Sequence, residues 1–182
     1  MVRRADRVVL PGDGAFPACR AQLFDHRGLF EAMEEVVISG GKPFLGICIG
    51  MQMLATRGLE YTETPGFDWI GGTVGPITPS EPGMKVPHMG WNQVRCERES
   101  ALTTGLDEKW FYFVHSYAAP TGDWTLATSH HGSTFSAVVR RNNFSGAQFH
   151  PERSAAAGAP AIPTSPPRSP AWTCRPSPAL PA

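Results

Sequence analysis

"GICIGMQ", residues 46–52, places a cysteine between two glycines at the end of an apolar run. A free cysteine in such a run is ordinarily a small, buried packing residue. The pattern Gly46-Ile47-Cys48-Ile49-Gly50 is also the cysteine form of a nucleophile elbow, in which a strand turns sharply into a helix and presents a reactive atom at the bend. The flanks fit the second reading. "KPFLGIC" (42–48) reads as a buried strand and "IGMQMLATRG" (49–58) as a short helix ended at Gly58. A helix N-terminus at Cys48 is expected to lower the thiol pKa, because the dipole favours thiolate.

Upstream, "DRVVLPGDG" (6–14) is a compact β-branched run stopped by Pro-Gly, a strand entering a turn. In "GLFEAMEEVVISGG" (28–41), Leu29, Met33, Val36 and Val37 recur on one helical face, and Gly40 and Gly41 close it. Strand, helix, strand, helix predicts an α/β fold with parallel pairing and right-handed crossovers. Downstream, "DWIGGTV", "VPHMGWNQV", "WFYFVHSYAA", "WTLATSHH", "TFSAVVRR" and "FSGAQFH" are short and rich in aromatic and β-branched residues. They predict an antiparallel extension on the same core.

A nucleophile needs a base, and the base needs an orienting group. "GAQFHPE" (146–152) offers both: His150 ends a predicted strand, Pro151 holds it extended, and Glu152 is close enough to fix its tautomer. Alone, His150 reads as a strand-end histidine facing solvent; with the elbow, a Cys48–His150–Glu152 triad is the more economical reading. On pattern alone, His26, His88, His115, His130 and His131 are surface or packing residues.

The bulk properties set bounds. The 182 residues suit one domain, and 16 Lys+Arg balance 16 Asp+Glu. That neutrality gives no nucleic-acid or anionic-membrane footprint. No stretch approaches the ~20 apolar residues of a membrane span, and the opening apolar run is too short for a signal peptide, so a cytoplasmic location is expected. Cys19, Cys48, Cys96 and Cys174 form no CxxC pair, and the histidines are scattered, so neither a metal site nor a cofactor is expected.

With these motifs in hand, the chain resembles the class I, triad-type glutamine amidotransferases, which have a flavodoxin-like, mostly parallel sheet. More narrowly it is similar to the glutaminase subunits of imidazole glycerol phosphate synthases. The match runs through "LPGDGAF", "GICIGMQ", "TPGFDWIGG", "PHMGWNQV" with "YFVHSYAAP", and "QFHPERS", spanning about residues 5–154. The triad motifs are common to the class, whereas "PHMGWN" and "YFVHSY" point to this subunit. The resemblance implies that Cys48 attacks the γ-carboxamide of glutamine, with His150 as base then acid and Glu152 orienting it. It implies oxyanion donors at the Ile49 N–H and in the Pro11–Gly14 turn, where Gly12 and Gly14 let a peptide plane reorient. Asp13 stands where the family more often has an apolar residue. Gln52 and Glu60 would face the polar end of glutamine, with the Ser116–Tyr117 backbone alongside. From the residues alone, Gln52 reads equally as a helix surface residue and Glu60 as a solvated loop carboxylate. His88, Met89, Trp91 and Asn92 would lie at the interface with a cyclase subunit. Trp91 and Met89 are by default packing residues, and exposure would make them interface anchors. Another class I amidotransferase and a non-catalytic piece of this subunit are the competing readings.

Two departures from the family complete the expectations. Family members carry a further β-α-β portion before the strand at 7–10 and an apolar helix after "HPERS". The domain is therefore expected to be 1–154, N-terminally truncated. Residues 155–182, with eight prolines between Pro160 and Pro181, are expected to be a disordered tail, its composition suggesting a change of reading frame.

Overall fold

A computed structural model describes residues 2–158. Strand β1 (Val8–Leu10) is followed by helices α1 (Phe16–Asp25) and α2 (Leu29–Glu34), the latter continued by a π turn over Glu35–Ser39. Then come β2 (Phe44–Ile47), the short helix α3 (Ile49–Gln52), β3 (Arg57–Gly58), β4 (Thr64–Pro65) and β5 (Thr73–Pro76). The second half is made of β6 (His88–Gln93), β7 (Arg95–Cys96), β8 (Trp110–His115), β9 (Tyr117–Ala118), β10 (Thr125–His131), β11 (Ser133–Arg141) and β12 (Phe144–Ala147).

The main sheet has the order β1-β2-β12-β11-β10-β7. β1, β2 and β12 are parallel, with Gly46 opposite Gly146, and the remaining pairs are antiparallel. This is the expected parallel α/β portion with its antiparallel extension. All four residues of β2 are buried, which is why that strand reads as a continuous apolar run.

Alternation along the strands gives the sheet two packed faces. Phe44, Val139 and Phe144 face a core shared with Phe16, Met33, Val37 and Trp69. Val138, Ala147 and Phe149 face the other core, shared with Phe111, Phe113 and Phe135. The antiparallel pair β6–β8 covers this second face and pairs His88 with His115 and Trp91 with Tyr112.

The helical pattern at 28–41 folds as α2 and its π continuation, with Met33, Val36 and Val37 of the expected stripe buried and Leu29 half-buried against the same core. Two elements differ from the sequence expectation. Helix α1 was not foreseen: its core-facing residues Phe16, Cys19 and Leu23 stand at helical spacing, but the stretch is short and opens on Pro17. The helix after Cys48 ends at Gln52 rather than near Gly58, because the next carbonyls bind a loop instead of a helical turn. Phe67 N–H donates to Met53 O at 2.7 Å, Ile70 N–H to Leu54 O at 2.9 Å and Asp68 N–H to Ala55 O at 3.1 Å. In the segment expected to be disordered, Ala155–Gly158 forms one helical turn (α4); the rest of that segment lies outside the described residues.

The approach of α3 to the sheet is set by glycines. A Cβ on Gly46 would stand 2.3 Å from Gly50 O, one on Gly50 1.9 Å from Leu10 O, and one on Gly146 2.6 Å from Met51 Cγ. The first two meet backbone, which cannot swing aside. Gly50→Ala is therefore expected to cost about 3 kcal/mol of stability in chemical denaturation, at the upper end for overpacking. A loss under ~0.5 kcal/mol, the range of an ordinary surface substitution, would contradict this close approach.

Candidate active site

Cys48 follows β2 directly and has φ 53° and ψ −112°, a conformation costly for any residue with a Cβ. Neighbouring backbone holds it there. Its N–H donates to Ala147 O at 2.8 Å, and its carbonyl accepts from Met51 N–H at 3.0 Å and Gln52 N–H at 3.2 Å. This is the strained bend that the glycine spacing implied.

His150 leaves the sheet at the same end. Ile47 is opposite Ala147 in the parallel register, so Cys48 lies one residue past that line and His150 three. The His150 N–H donates to Tyr112 O at 2.9 Å, tying it to the covering hairpin, and Ser154 Oγ donates to His150 O at 2.6 Å. Glu152 Oε1 stands 2.8 Å from His150 Nδ1. A carboxylate only accepts, so the proton sits on Nδ1 and the lone pair of the neutral ring is on Nε2. Nε2 is buried and has no hydrogen-bond partner among the described residues. Its lone pair is available.

The sulfur itself lies 3.9 Å from Val114 O and 3.7 Å from Gln148 Nε2. The expected lowering of its pKa does not hold. Burial pushes the Cys48 thiol up to about 12, the hydrogen bond from the Ile49 backbone opposes this, and the Asp13 and Glu152 carboxylates add to it. A four-residue helix carries too small a dipole to offset the loss of water around a thiolate. Asp13, already unusual in its turn, thus acts on the Cys48 thiol electrostatically.

The other expected site residues are distributed as follows. Gly12 abuts the residue after the nucleophile, since a Cβ there would be 2.4 Å from Ile49 Cγ2, and Gly14 has φ 133°. Pro11, Gly12, Asp13, Ile49 and Gly50 line a cavity of about 220 Å³ together with Cys19 and His26. Gln52 is buried, not on a helix surface; its Nε2 donates to Tyr117 O at 2.9 Å and Gln148 Oε1 at 3.1 Å. Glu60 Oε2 accepts from Phe16 N–H at 2.7 Å, capping α1, whose own N-cap residue Ala15 has no side-chain acceptor. Ser116, between β8 and β9, and Tyr117, the first residue of β9, are half-buried.

Among the expected interface residues, Met89 and Trp91 are 63% and 50% exposed. His88 needs correction. It points to the inner face, is buried, and stacks on Phe113 with ring centroids 4.9 Å apart, so it offers no surface to a partner. Asn92 also turns inward, its Nδ2 donating to His130 O at 2.9 Å. Three residues went unnoticed in the sequence. Gln148, which touches both Gln52 and the sulfur, sits one alternation before His150, the only signal that could have found it. Trp110, 55% exposed, and Tyr112, opposite Trp91, could have been found from the outward alternation of β8.

The family model described as glutamine amidotransferase class-I matches residues 6–164. The chain belongs to the class I glutamine amidotransferase family. Within it, the chain is 53% identical over 160 residues to the imidazole glycerol phosphate synthase subunit HisH of Cereibacter sphaeroides, covering 86% of this chain and 76% of that protein. It is 51% identical over 161 residues to the HisH subunit of Ruegeria pomeroyi, covering 87% and 76%. Among solved structures, a glutamine amidotransferase matches with TM-score 0.59 at 19% identity, over 81% of this chain and 71% of that one. One from Thermotoga maritima matches with TM-score 0.58 at 20% identity, over 84% and 58%. The structural matches speak for the fold. No helix among the described residues is long and apolar enough to cross a membrane.

A thiol pKa near 12 leaves about one molecule in 10,000 as thiolate at pH 8. Alkylation of Cys48 by iodoacetamide in the isolated chain, followed by peptide mass spectrometry, should rise about tenfold per pH unit from pH 7 to 10. Asp13→Asn should shift that profile to lower pH. A plateau by pH 8 would contradict the buried, neutral thiol.

Proposed function

We propose that this chain is the glutaminase subunit of an imidazole glycerol phosphate synthase, hydrolysing glutamine to glutamate and supplying ammonia to a cyclase subunit. The observation that carries the reading is the delivery of Cys48 and of the unpartnered His150 Nε2 to one end of two adjacent parallel strands. The similarity to HisH subunits supports the choice of synthase.

The chemistry follows from the protonation states. A neutral thiol must lose its proton as it attacks, and the lone pair on His150 Nε2 can take it. For that transfer the sulfur must leave Val114 O, a rearrangement that filling the site with substrate would drive. Sulfur adds to the carboxamide carbon of glutamine, Cδ, and the oxyanion is held by the Ile49 N–H and a donor from the Gly12–Gly14 turn. Collapse breaks the C–N bond, and the proton on Nε2 passes to the departing ammonia. His150 then takes a proton from water as it attacks the γ-glutamyl thioester, releasing glutamate and returning the thiol. Glu152 keeps the imidazole in one tautomer and stabilises its cationic form throughout. Gln52, Glu60 and the Ser116–Tyr117 backbone are the groups that would hold the amino-acid end of glutamine.

The outward face of β6–β8 is the natural docking surface for the cyclase. Met89, Trp91 and Trp110 are large, apolar and exposed side by side, the composition of an interface anchor. Tyr112, on the same face, lies on the strand whose backbone binds both His150 and the sulfur, so docking there would touch the site through one layer of chain. Ammonia needs a dry route, because in water it is protonated and loses its nucleophilic lone pair.

Purified chain with the cyclase and its ribonucleotide ligand should release glutamate from glutamine, and Cys48→Ala should abolish this by at least about a thousandfold. Trp91→Ala should weaken the complex by about tenfold or more. Wild-type protein that releases no glutamate even with the partner would overturn the reading.

A further inference from the structure

We infer that His88 and His115 are positioning residues for glutamine: a one-directional chain of hydrogen bonds runs from Asn92, on the hairpin that covers the site, through both imidazoles to the Tyr117 carbonyl, and holds the Ser116–Tyr117 segment against Gln52. The inference rests on the glutaminase reading for the identity of the ligand.

The direction of each bond is fixed by its chemistry. The Tyr117 carbonyl accepts from Gln52 Nε2 at 2.9 Å and faces His115 Nδ1 at 2.8 Å. A carbonyl cannot donate, so His115 carries its proton on Nδ1, and the neutral ring keeps its lone pair on Nε2. That lone pair faces His88 Nδ1 at 3.0 Å, so His88 also carries its proton on Nδ1. The lone pair of His88 Nε2 in turn meets Asn92 Nδ2 at 3.2 Å. The Asn92 amide cannot flip without loss, because Nδ2 also donates to His130 O at 2.9 Å and Oδ1 accepts from the Gln93 N–H at 2.7 Å. Moving either imidazole proton to Nε2 would set N–H against N–H at one junction and lone pair against carbonyl or lone pair at the other. Burial keeps both rings neutral, with His88 lowered to about 3 and His115 to about 4.

The chain continues past Tyr117. Gln52 Nε2 also donates to Gln148 Oε1 at 3.1 Å, and Gln148 Nε2 approaches the Cys48 sulfur at 3.7 Å. The backbone expected beside glutamine is thus tied on one side to the nucleophile and on the other to the hairpin bearing Met89 and Trp91.

Stability alone does not account for this pair. Both imidazoles lie in an aromatic cluster, His88 stacked on Phe113 at 4.9 Å and on His131 at 4.2 Å, His115 edge-on to Phe135 at 5.0 Å. Apolar rings of similar volume would pack there without the desolvation cost of two buried polar groups, and such replacements are commonly neutral or stabilising. What only the imidazoles supply is a donor with a fixed direction at Tyr117 O.

The test uses the full chain in complex with its cyclase. His115→Phe keeps the ring and removes both nitrogens, whereas His115→Asn keeps a donor at the Nδ1 position. His115→Phe should raise KM for glutamine about tenfold, with kcat changed far less, and should lower thermal stability somewhat because the buried His88 Nδ1–H loses its acceptor. His115→Asn should recover most of the lost affinity despite packing worse. An unchanged KM in the Phe variant, or equal losses in both variants, would overturn the inference. Long-range ¹⁵N–¹H spectra of the imidazoles at neutral pH give a readout independent of activity. Both rings should be neutral with the proton on Nδ1, and a proton on Nε2 of either ring would overturn the relay. If wild-type protein fails to hydrolyse glutamine while the spectra show Nδ1–H on both rings, the functional reading falls and the relay stands.

Discussion

Cys48 occupies a backbone conformation that a side-chain-bearing residue adopts only under constraint, and the rest of the site depends on the surroundings that impose it. Such strain costs on the order of 1–3 kcal/mol. It persists because Gly46 and Gly50 let backbone pack on backbone and because the Cys48 N–H is held by Ala147 O. The result is a helix pressed onto β2 and β12 so closely that Gly146 too has no room for a side chain. A bulkier residue at any of these three positions would push the helix away and carry the sulfur with it.

The sheet then solves a problem of distance in sequence. Cys48 and His150 are far apart in the chain, but parallel pairing of β2 with β12 brings their strand ends together. Ligands of open α/β sheets gather at such carboxyl ends because there the chain turns away from the hydrogen-bonded ladder and leaves side chains free to converge. The antiparallel hairpin completes the enclosure. Its inner face supplies Phe111, Phe113 and His115 to the second core, and its outer face shows Met89, Trp91 and Trp110. Enclosure has an electrostatic consequence. In a dry site a thiolate is costly, so the thiol stays neutral, and in the proposed reaction the imidazole, its tautomer fixed by Glu152, takes the proton during attack rather than before it.

Much of this was legible in the residues, and the exceptions have physical causes. The elbow could be read because its glycine requirement is local, and the His-Pro-Glu motif because base and orienting group are two residues apart. Strands β2, β10, β11 and β12 announced themselves by β-branched and aromatic runs. Helix α1 did not, since its stability comes from tertiary contacts: a distant carboxylate, Glu60, caps it, and Phe16 alone is fully buried. The true length of α3 was hidden because the carbonyls of Met53, Leu54 and Ala55 are claimed by a loop at 66–70. The direction of the thiol pKa was misread because a motif reveals a helix terminus but not how much water the folded chain excludes. His88 was assigned to the partner surface with its neighbours, yet period-two alternation turns it inward where Met89 and Trp91 turn out.

The central claim is that Cys48, among the cysteines of this chain, forms the covalent bond to the side-chain carbonyl carbon of glutamine. Incubating the cyclase complex with a chloroketone analogue of glutamine, then locating the adduct by peptide mass spectrometry, tests it directly. The account predicts one equivalent of label on Cys48, suppressed by excess glutamine and lost in His150→Ala. Label on Cys19 or Cys96 with Cys48 unmodified would contradict it.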